Sequence, residues 1–156
     1  MLRLYSTGNG LILERDGAHF TPAQPLTLDA VFHSVDPLAL VRTVLTNALP
    51  VATPAGEWTL LAPLQSHEVW AAGVTYLRSK SARMAESKDA GGGTFYDKVY
   101  DADRPELFFK STPHRVAAPG TGVHIRADSR WNVPEPELTL AINSAGRIFG
   151  YTIGND

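Results

Sequence analysis

The feature that most constrains the fold is a hairpin pattern in residues 135–156. Residues 137–142, ELTLAI, alternate polar and apolar side chains, as a half-buried strand does. Residues 143–146, NSAG, supply turn formers, and residues 147–153 are rich in the aromatic and β-branched types that favour a return strand. The sequence therefore predicts an antiparallel β-hairpin.

The predicted hairpin carries an acidic face. Glu135 and Glu137 lie on one side of the first strand with their Cα atoms about 6–7 Å apart. Like charges this close disfavour folding unless something positive lies between them. A turn centred between residues 144 and 145 predicts three cross-strand pairs: Glu137 with Thr152, Glu135 with Gly154, and Val133 with Asp156.

Asp156 is then the third carboxylate on that face, unless a one-residue slip in the turn moves it to the other side. Three converging carboxylates suit a hard divalent cation such as Mg²⁺, with water and substrate oxygens completing the octahedron. The alternative is an exposed edge hairpin whose acids are simply solvated.

Composition narrows the class of protein. The 156 residues suffice for one domain with a sizeable core, and 44% hydrophobic and 19% charged residues are typical of a soluble globular protein. A net charge of −2 gives no reason to expect a nucleic acid or an anionic membrane as partner. The chain has no cysteine, which excludes disulfides and zinc–sulfur sites. Without a membrane-length apolar run or a secretory segment, a cytoplasmic location is expected.

The residues before the hairpin predict a small α+β domain at 1–64, which ends in a linker, and a second region at 65–156. Strands are expected at residues 2–5 and 10–15, and residues 26–34 fit either a strand or a helix. Asp36 and Pro37 begin a helix whose apolar residues recur at helical spacing as far as Leu49. Further strands are predicted at residues 106–110 and 122–127, with a buried one at 69–74.

Two stretches of the second region have more than one interpretation. Residues 77–88 predict a highly charged helix that faces solvent or a polar cavity, followed by three glycines at 91–93 that could act as a hinge. Lys110 ends a strand and is a candidate substrate contact. The alternative is a surface lysine whose aliphatic stem covers apolar neighbours.

Four motifs, in order along residues 69–156, resemble the fumarylacetoacetate hydrolase superfamily: GVTY at 73–76, PELFFKS at 105–111, PEPEL at 134–138 and GYTIGND at 150–156. The resemblance implies a catalytic domain built as a mixed β-sheet roll, usually in a homodimer. It also implies a Mg²⁺ ion (or Mn²⁺ or Ca²⁺) held by Glu135, Glu137 and Asp156.

One departure from the superfamily points to a particular branch. Its hydrolases activate water with a His-x-x-Glu pair, and aligning GVTY places Ser79 and Ala82 at those positions, where neither can act as a general base. The stretch GVTYLRSKSARMAES is more similar to the 2-keto-3-deoxy-D-arabinonate dehydratase-like branch. In such a dehydratase the cation polarises a 2-oxo acid so that the C3 proton can be removed and the C4 hydroxyl can leave.

The resemblance extends to catalytic candidates. Arg83 is expected to bind carboxylate or hydroxyl groups of the substrate, and Glu86 to assist proton transfer, with Lys110 as the third candidate. Because members of the superfamily continue beyond the position of Asp156, we expect a truncated roll and an inactive isolated chain. Two other hypotheses remain: a hydrolase, decarboxylase or isomerase acting on acylpyruvates or ring-cleavage products, and a non-catalytic fragment or binding module.

Overall fold

The computed structural model describes residues 1–73, 101–130 and 132–156. Their elements, in chain order, are β1 (Leu2–Thr7), β2 (Gly10–Arg15), β3 (Ala18–Thr21), α1 (Leu28–His33), α2 (Pro37–Leu45), β4 (Leu49–Pro50), β5 (Val69–Ala72), β6 (Leu107–Ser111), β7 (Pro136–Ile142) and β8 (Ile148–Asn155), with single 3₁₀ turns at Ala55–Glu57 and Pro113–Arg115. This α+β set is mostly sheet. It divides into two compact units, residues 1–67 with 116–156, and residues 68–115. The predicted domains 1–64 and 65–156 stay a prediction.

The first unit contains an antiparallel sheet with the strand order β1-β2-β3-β4. The predicted strands at residues 2–5 and 10–15 are confirmed as β1 and β2. Between β2 and β3 the chain reverses at Asp16 and Gly17, whose φ angles of +52° and +86° match a two-residue hairpin turn with both central residues left-handed.

Helices α1 and α2 provide the other layer of the small core. Leu13 of β2 and Val31 of α1 are fully buried, and Val41 and Leu45 of α2 complete the cluster. Alternation along β2 places Leu13 toward this core and Glu14 on the opposite face of the sheet. The core of residues 1–50 therefore forms by packing two helices on one face of a sheet.

Glu14 is a buried carboxylate on that opposite face, 6% exposed. Its two oxygens accept hydrogen bonds from the Arg3 guanidinium and from the Tyr5 hydroxyl. The hydrogen bond from Arg3, and then that from Tyr5, lower the pKa of Glu14 to about 2. The ionised group is thus stabilised by neighbours on β1.

The ends of the two helices were only partly predicted from the sequence. Within residues 26–34, which fitted either a strand or a helix, Leu28–His33 form helix α1, whose N-cap Thr27 accepts a hydrogen bond from the Ala30 amide. Asp36 caps α2 as predicted. The prediction that this helix continues to Leu49 was wrong: it ends at Leu45, where amide hydrogen bonds reach back only three residues, and Leu49 then pairs with β3.

The strand predicted at residues 122–127 is not formed. A strand requires a neighbour to satisfy its backbone N–H and C=O groups, and the described residues provide no ladder partner here. A local turn occupies its end, with the Ser129 amide donating to the Arg126 carbonyl and the Arg126 guanidinium paired with Asp128.

The second unit contains the two-stranded antiparallel sheet β5–β6. Both strands were predicted, and β5 was expected to be buried. It is not: Trp70 is 61% exposed, because β5 pairs with β6 alone among the described residues. The charged helix predicted at residues 77–88 and the glycines at 91–93 lie outside the described residues. In the described part of the chain, no helix is long and apolar enough to cross a membrane.

Candidate metal centre

Strands β7 and β8 form the predicted antiparallel hairpin in the first unit. Glu137 lies opposite Gly154. Two residues further toward the open end of the hairpin, Glu135 and Asp156 exchange both backbone hydrogen bonds, at 2.8 and 3.0 Å. The predicted cross-strand pairs were therefore wrong by two residues. Residues directly opposite in an antiparallel pair project to the same side, so all three carboxylates still share one face.

The difference in register has two causes. The turn contains three residues, 144–146, closed by the Asn143 amide donating to the Arg147 carbonyl at 2.9 Å, with Gly146 left-handed at φ +73°. A second irregularity, between Ala141 and Ile142, shifts the pairing by one more residue. Each one-residue shift alone would reverse the faces, and the two together restore the original side.

The three predicted ligands converge at the open end of the hairpin. One carboxylate oxygen from each of Glu135, Glu137 and Asp156 lies within 4.8 Å of the others, with Glu135 half-buried and the other two residues exposed. Because Gly154 opposite Glu137 has no side chain, this face is not crowded. A Cβ atom there would come within 2.7 Å of Thr139 Oγ1.

This donor set fits a hard divalent cation. Carboxylate oxygens are the preferred ligands of Mg²⁺ and Ca²⁺, and ligands on opposite sides of one ion are about 4.2 Å apart for Mg²⁺ and roughly 4.6–5.2 Å for Ca²⁺. The three oxygens lie within 4.8 Å of one another, near the largest separation that two ligands of such an ion can have, whereas neighbouring ligands of one Mg²⁺ ion are closer, about 3 Å apart. Small side-chain rotations bring three oxygens onto one ion and leave its remaining positions for water or a ligand.

The catalytic candidates lie elsewhere in the chain. Lys110, on β6 of the second unit, is exposed, with Nζ 6.0 Å from the centroid of the Phe108 ring. Arg83 and Glu86 lie outside the described residues. Their roles stay predictions.

Sequence reasoning did not identify Gly154 as a residue that shapes the site, although a glycine inside a strand is a known signal for close approach. It treated Asn143 only as a turn former. The structure places that side chain in the interior, 4% exposed, at the closed end of the same hairpin.

The chain is similar in sequence and in fold to 2-keto-3-deoxy-sugar-acid dehydratases, which confirms the predicted resemblance to that branch. It is 52% identical over 94 residues, 60% of this chain and 31% of the relative, to a Haloferax volcanii protein named a probable 2-keto-3-deoxyxylonate dehydratase. It is 46% identical over 96 residues to 2-dehydro-3-deoxy-D-arabinonate dehydratase of Saccharolobus solfataricus, covering 32% of that protein. No protein-family model matches the sequence.

The fold similarity extends over almost the whole chain. A solved structure of 2-keto-3-deoxy-D-arabinonate dehydratase, complexed with magnesium and 2,5-dioxopentanoate, matches 99% of this chain with a TM-score of 0.65 and 26% identity. The apo form of that dehydratase matches with a TM-score of 0.66. The chain spans 54% of the length of each of these two structures, and the matched segment about a third of the curated relatives.

Proposed function

We propose that the acidic face of β7–β8 binds Mg²⁺ in a dehydratase that acts on 2-keto-3-deoxy sugar acids, such as 2-keto-3-deoxy-arabinonate. The observation that carries the proposal is the convergence of three carboxylate oxygens, from Glu135, Glu137 and Asp156, within 4.8 Å. Support comes from the similarity to dehydratases, one of which is complexed with magnesium. Mn²⁺ and Ca²⁺ are the other ions that this donor set would accept.

The proposed reaction converts a 2-keto-3-deoxypentonate into 2,5-dioxopentanoate and one molecule of water. Loss of a C3 proton and the C4 hydroxyl leaves a C3=C4 double bond conjugated with the 2-oxo group. Transfer of a proton from C5 to C3 then converts the C5 alcohol into a C4=C5 enol, which tautomerises to the terminal aldehyde. A bound divalent cation supplies Lewis-acid chemistry that withdraws electron density from the 2-oxo group and acidifies the C3 proton. The hairpin contributes a fixed set of negative charges, which orients the cation and leaves coordination positions open for a 2-oxo acid.

Three other residues are proposed to act on the substrate itself. Arg83 would bind its carboxylate or hydroxyl groups, Glu86 would assist proton transfer, and Lys110 would contact it from β6. The resemblance supports the first two roles, and the exposed position of residue Lys110 on β6 is compatible with the third. Ser79 and Ala82, where hydrolases of the superfamily carry a water-activating His and Glu, favour dehydration over hydrolysis.

The proposal includes the organisation of the protein. Residues 1–64 would form an α+β domain, and residues 65–156 would belong to a mixed β-sheet roll. The similarity to the solved dehydratase over 99% of the chain supports the fold as a whole, whereas the division into these two domains rests on the sequence pattern and the resemblance. A homodimer, which the resemblance to the superfamily implies, and the cytoplasmic location expected from the sequence complete the proposal.

The decisive test is product formation. The full-length protein is incubated with 2-keto-3-deoxypentonates and, separately, with acylpyruvates, and the products are followed by NMR with Mg²⁺ present or removed by chelation. We expect 2,5-dioxopentanoate from the pentonate, dependent on the metal, abolished by Glu135→Gln and retained by Glu57→Gln, which changes an exposed glutamate outside the cluster. Cleavage of acylpyruvates alone would contradict the dehydratase assignment. Mg²⁺ binding without any turnover would instead favour a non-catalytic binding module.

A further inference from the structure

The side chain of Asn143, at the closed end of the β7–β8 hairpin, is buried, and both its oxygen and its nitrogen make hydrogen bonds. Its carboxamide oxygen accepts hydrogen bonds from the amides of Ala145, at 3.1 Å, and Arg147, at 2.8 Å. Its amide nitrogen donates to the carbonyl oxygen of Ser34 at 2.9 Å. Hydrogen bonds to a buried polar group favour one arrangement, because losing a partner leaves that group unsatisfied.

These bonds fix the length of the turn. The two acceptor bonds of the carboxamide hold residues 145 and 147 at the distance that a three-residue loop requires. The Asn143 backbone closes the same loop, since its amide donates to the Arg147 carbonyl and its carbonyl accepts from Gly146, both at 2.9 Å. A two-residue turn would bring different amides to the carboxamide oxygen.

The turn is also attached to helix α1. The Ser34 carbonyl that accepts from Asn143 lies at the C-cap, and the carbonyl of Phe32 in the last turn accepts from the Ser144 amide at 2.9 Å. The last carbonyls of a helix have no partner within the helix, so the hairpin satisfies two groups that the helix leaves open. Contact between the Phe32 and Phe149 rings, whose centroids are 4.9 Å apart, adds an apolar attachment.

We infer that Asn143 is a positioning residue for the metal site: it sets the register that places Asp156 opposite Glu135. Eight residues separate Asn143 from Glu135, roughly 26 Å along an extended strand, so Asn143 acts through the alignment of the strands and not by contact with the ion. A register shorter by one residue turns Asp156 to the other face, and one shorter by two moves it along the strand, away from Glu135. Measuring Mg²⁺ affinity as a test of this inference rests on the metal-binding function proposed above.

The test combines Mg²⁺ affinity with a direct reading of the register. Calorimetric titration is carried out on the wild type, Asn143→Ala and Asn143→Asp. In parallel, NMR detects Hα–Hα contacts between Leu138 and Ile153, a closely spaced pair in the observed register. We expect Asn143→Ala to lose this contact and to bind Mg²⁺ at least tenfold more weakly. Asn143→Asp keeps both acceptor bonds but cannot donate to Ser34, so we expect a smaller loss.

The control for general destabilisation is Val41→Ala, which removes buried atoms from the core of α2. It is expected to lower stability and leave both the Leu138–Ile153 contact and the Mg²⁺ affinity unchanged. An unchanged contact in both Asn143 variants would overturn the inference, as would an affinity loss with the contact retained. If the wild type binds no Mg²⁺, the proposed metal site fails, while the NMR contact still decides whether Asn143 sets the register.

Discussion

Replacing Glu137 by glutamine is expected to raise the stability of the metal-free protein and to lower its affinity for Mg²⁺. Without metal, the Glu137 carboxylate repels two neighbours whose oxygens lie within 4.8 Å. At that separation each pair of unit charges in water costs about 0.9 kcal/mol, and dissolved salt reduces this further. Glu137→Gln removes both repulsions with almost no change of shape. We therefore expect the metal-free variant to be more stable than the wild type by up to about 1–2 kcal/mol.

With metal present, the same substitution is expected to weaken Mg²⁺ binding and to reduce the stability that binding adds. A carboxylate centred about 3 Å from a doubly charged ion contributes about 2.8 kcal/mol even at the dielectric constant of water, equivalent to a factor of about 100 in affinity. At a Mg²⁺ concentration 100 times the wild-type Kd, the wild type gains about 2.7 kcal/mol from binding. The variant, with its hundredfold weaker affinity, gains only about 0.4 kcal/mol.

Urea unfolding with and without Mg²⁺ measures both effects on the same sample. The metal-free midpoint is expected to rise in Glu137→Gln, and the Mg²⁺-induced increase to disappear almost entirely. Glu57→Gln is the matched control, since it changes the same chemical group at an exposed position outside the cluster, and both of its midpoints should follow those of the wild type. An equal Mg²⁺-induced increase in Glu137→Gln and wild type would refute the ligand assignment.

Three further predictions concern the first unit. Leu13→Ala deletes a fully buried side chain and should cost about 2–5 kcal/mol of unfolding free energy in urea titrations, whereas Leu49→Ala, at a position 56% exposed, should cost much less. Asp36→Ala removes the hydrogen bond to the first turn of α2 and should cost about 1 kcal/mol in the same assay. The pKa of Glu14 is lowered in the folded state from 4.5 to about 2, so its contribution to stability is complete above pH 4.5 and is lost as the pH falls toward 2. Unfolding midpoints measured across this range should fall less steeply in Glu14→Gln.

The sequence was most informative where local chemistry determines the structure. Asp36 and Pro37 predicted the start of α2 because a capping carboxylate and a fixed φ act within one turn. The alternation of polar and apolar residues before Asn143, followed by turn formers, predicted the hairpin, because these signals are also local. The acidic face was predicted as well, since the spacing of Glu135 and Glu137 decides which side of a strand they occupy.

The sequence was least informative where distant residues decide the outcome. The register of β7–β8 depends on an irregularity at Ala141 and on bonds from Asn143 to helix α1, 109 positions earlier. The end of α2 was mispredicted because Leu49, although apolar and at helical spacing, pairs with β3 as part of strand β4. Residues 122–127 have strand-like composition but no described neighbour to pair with.

The two irregularities in β7–β8 limit how the length of this hairpin can vary among related proteins. Inserting one residue between Asn143 and Glu137 would turn both glutamates away from Asp156, and inserting two would keep the side but displace them by roughly 6–7 Å. Deletions act in the same way. Extra residues are tolerated only at the tip of the loop, beyond the Asn143–Arg147 closing pair, because growth there leaves the strands aligned. Homologous chains that retain a working acidic face should therefore differ in loop length and agree in strand length.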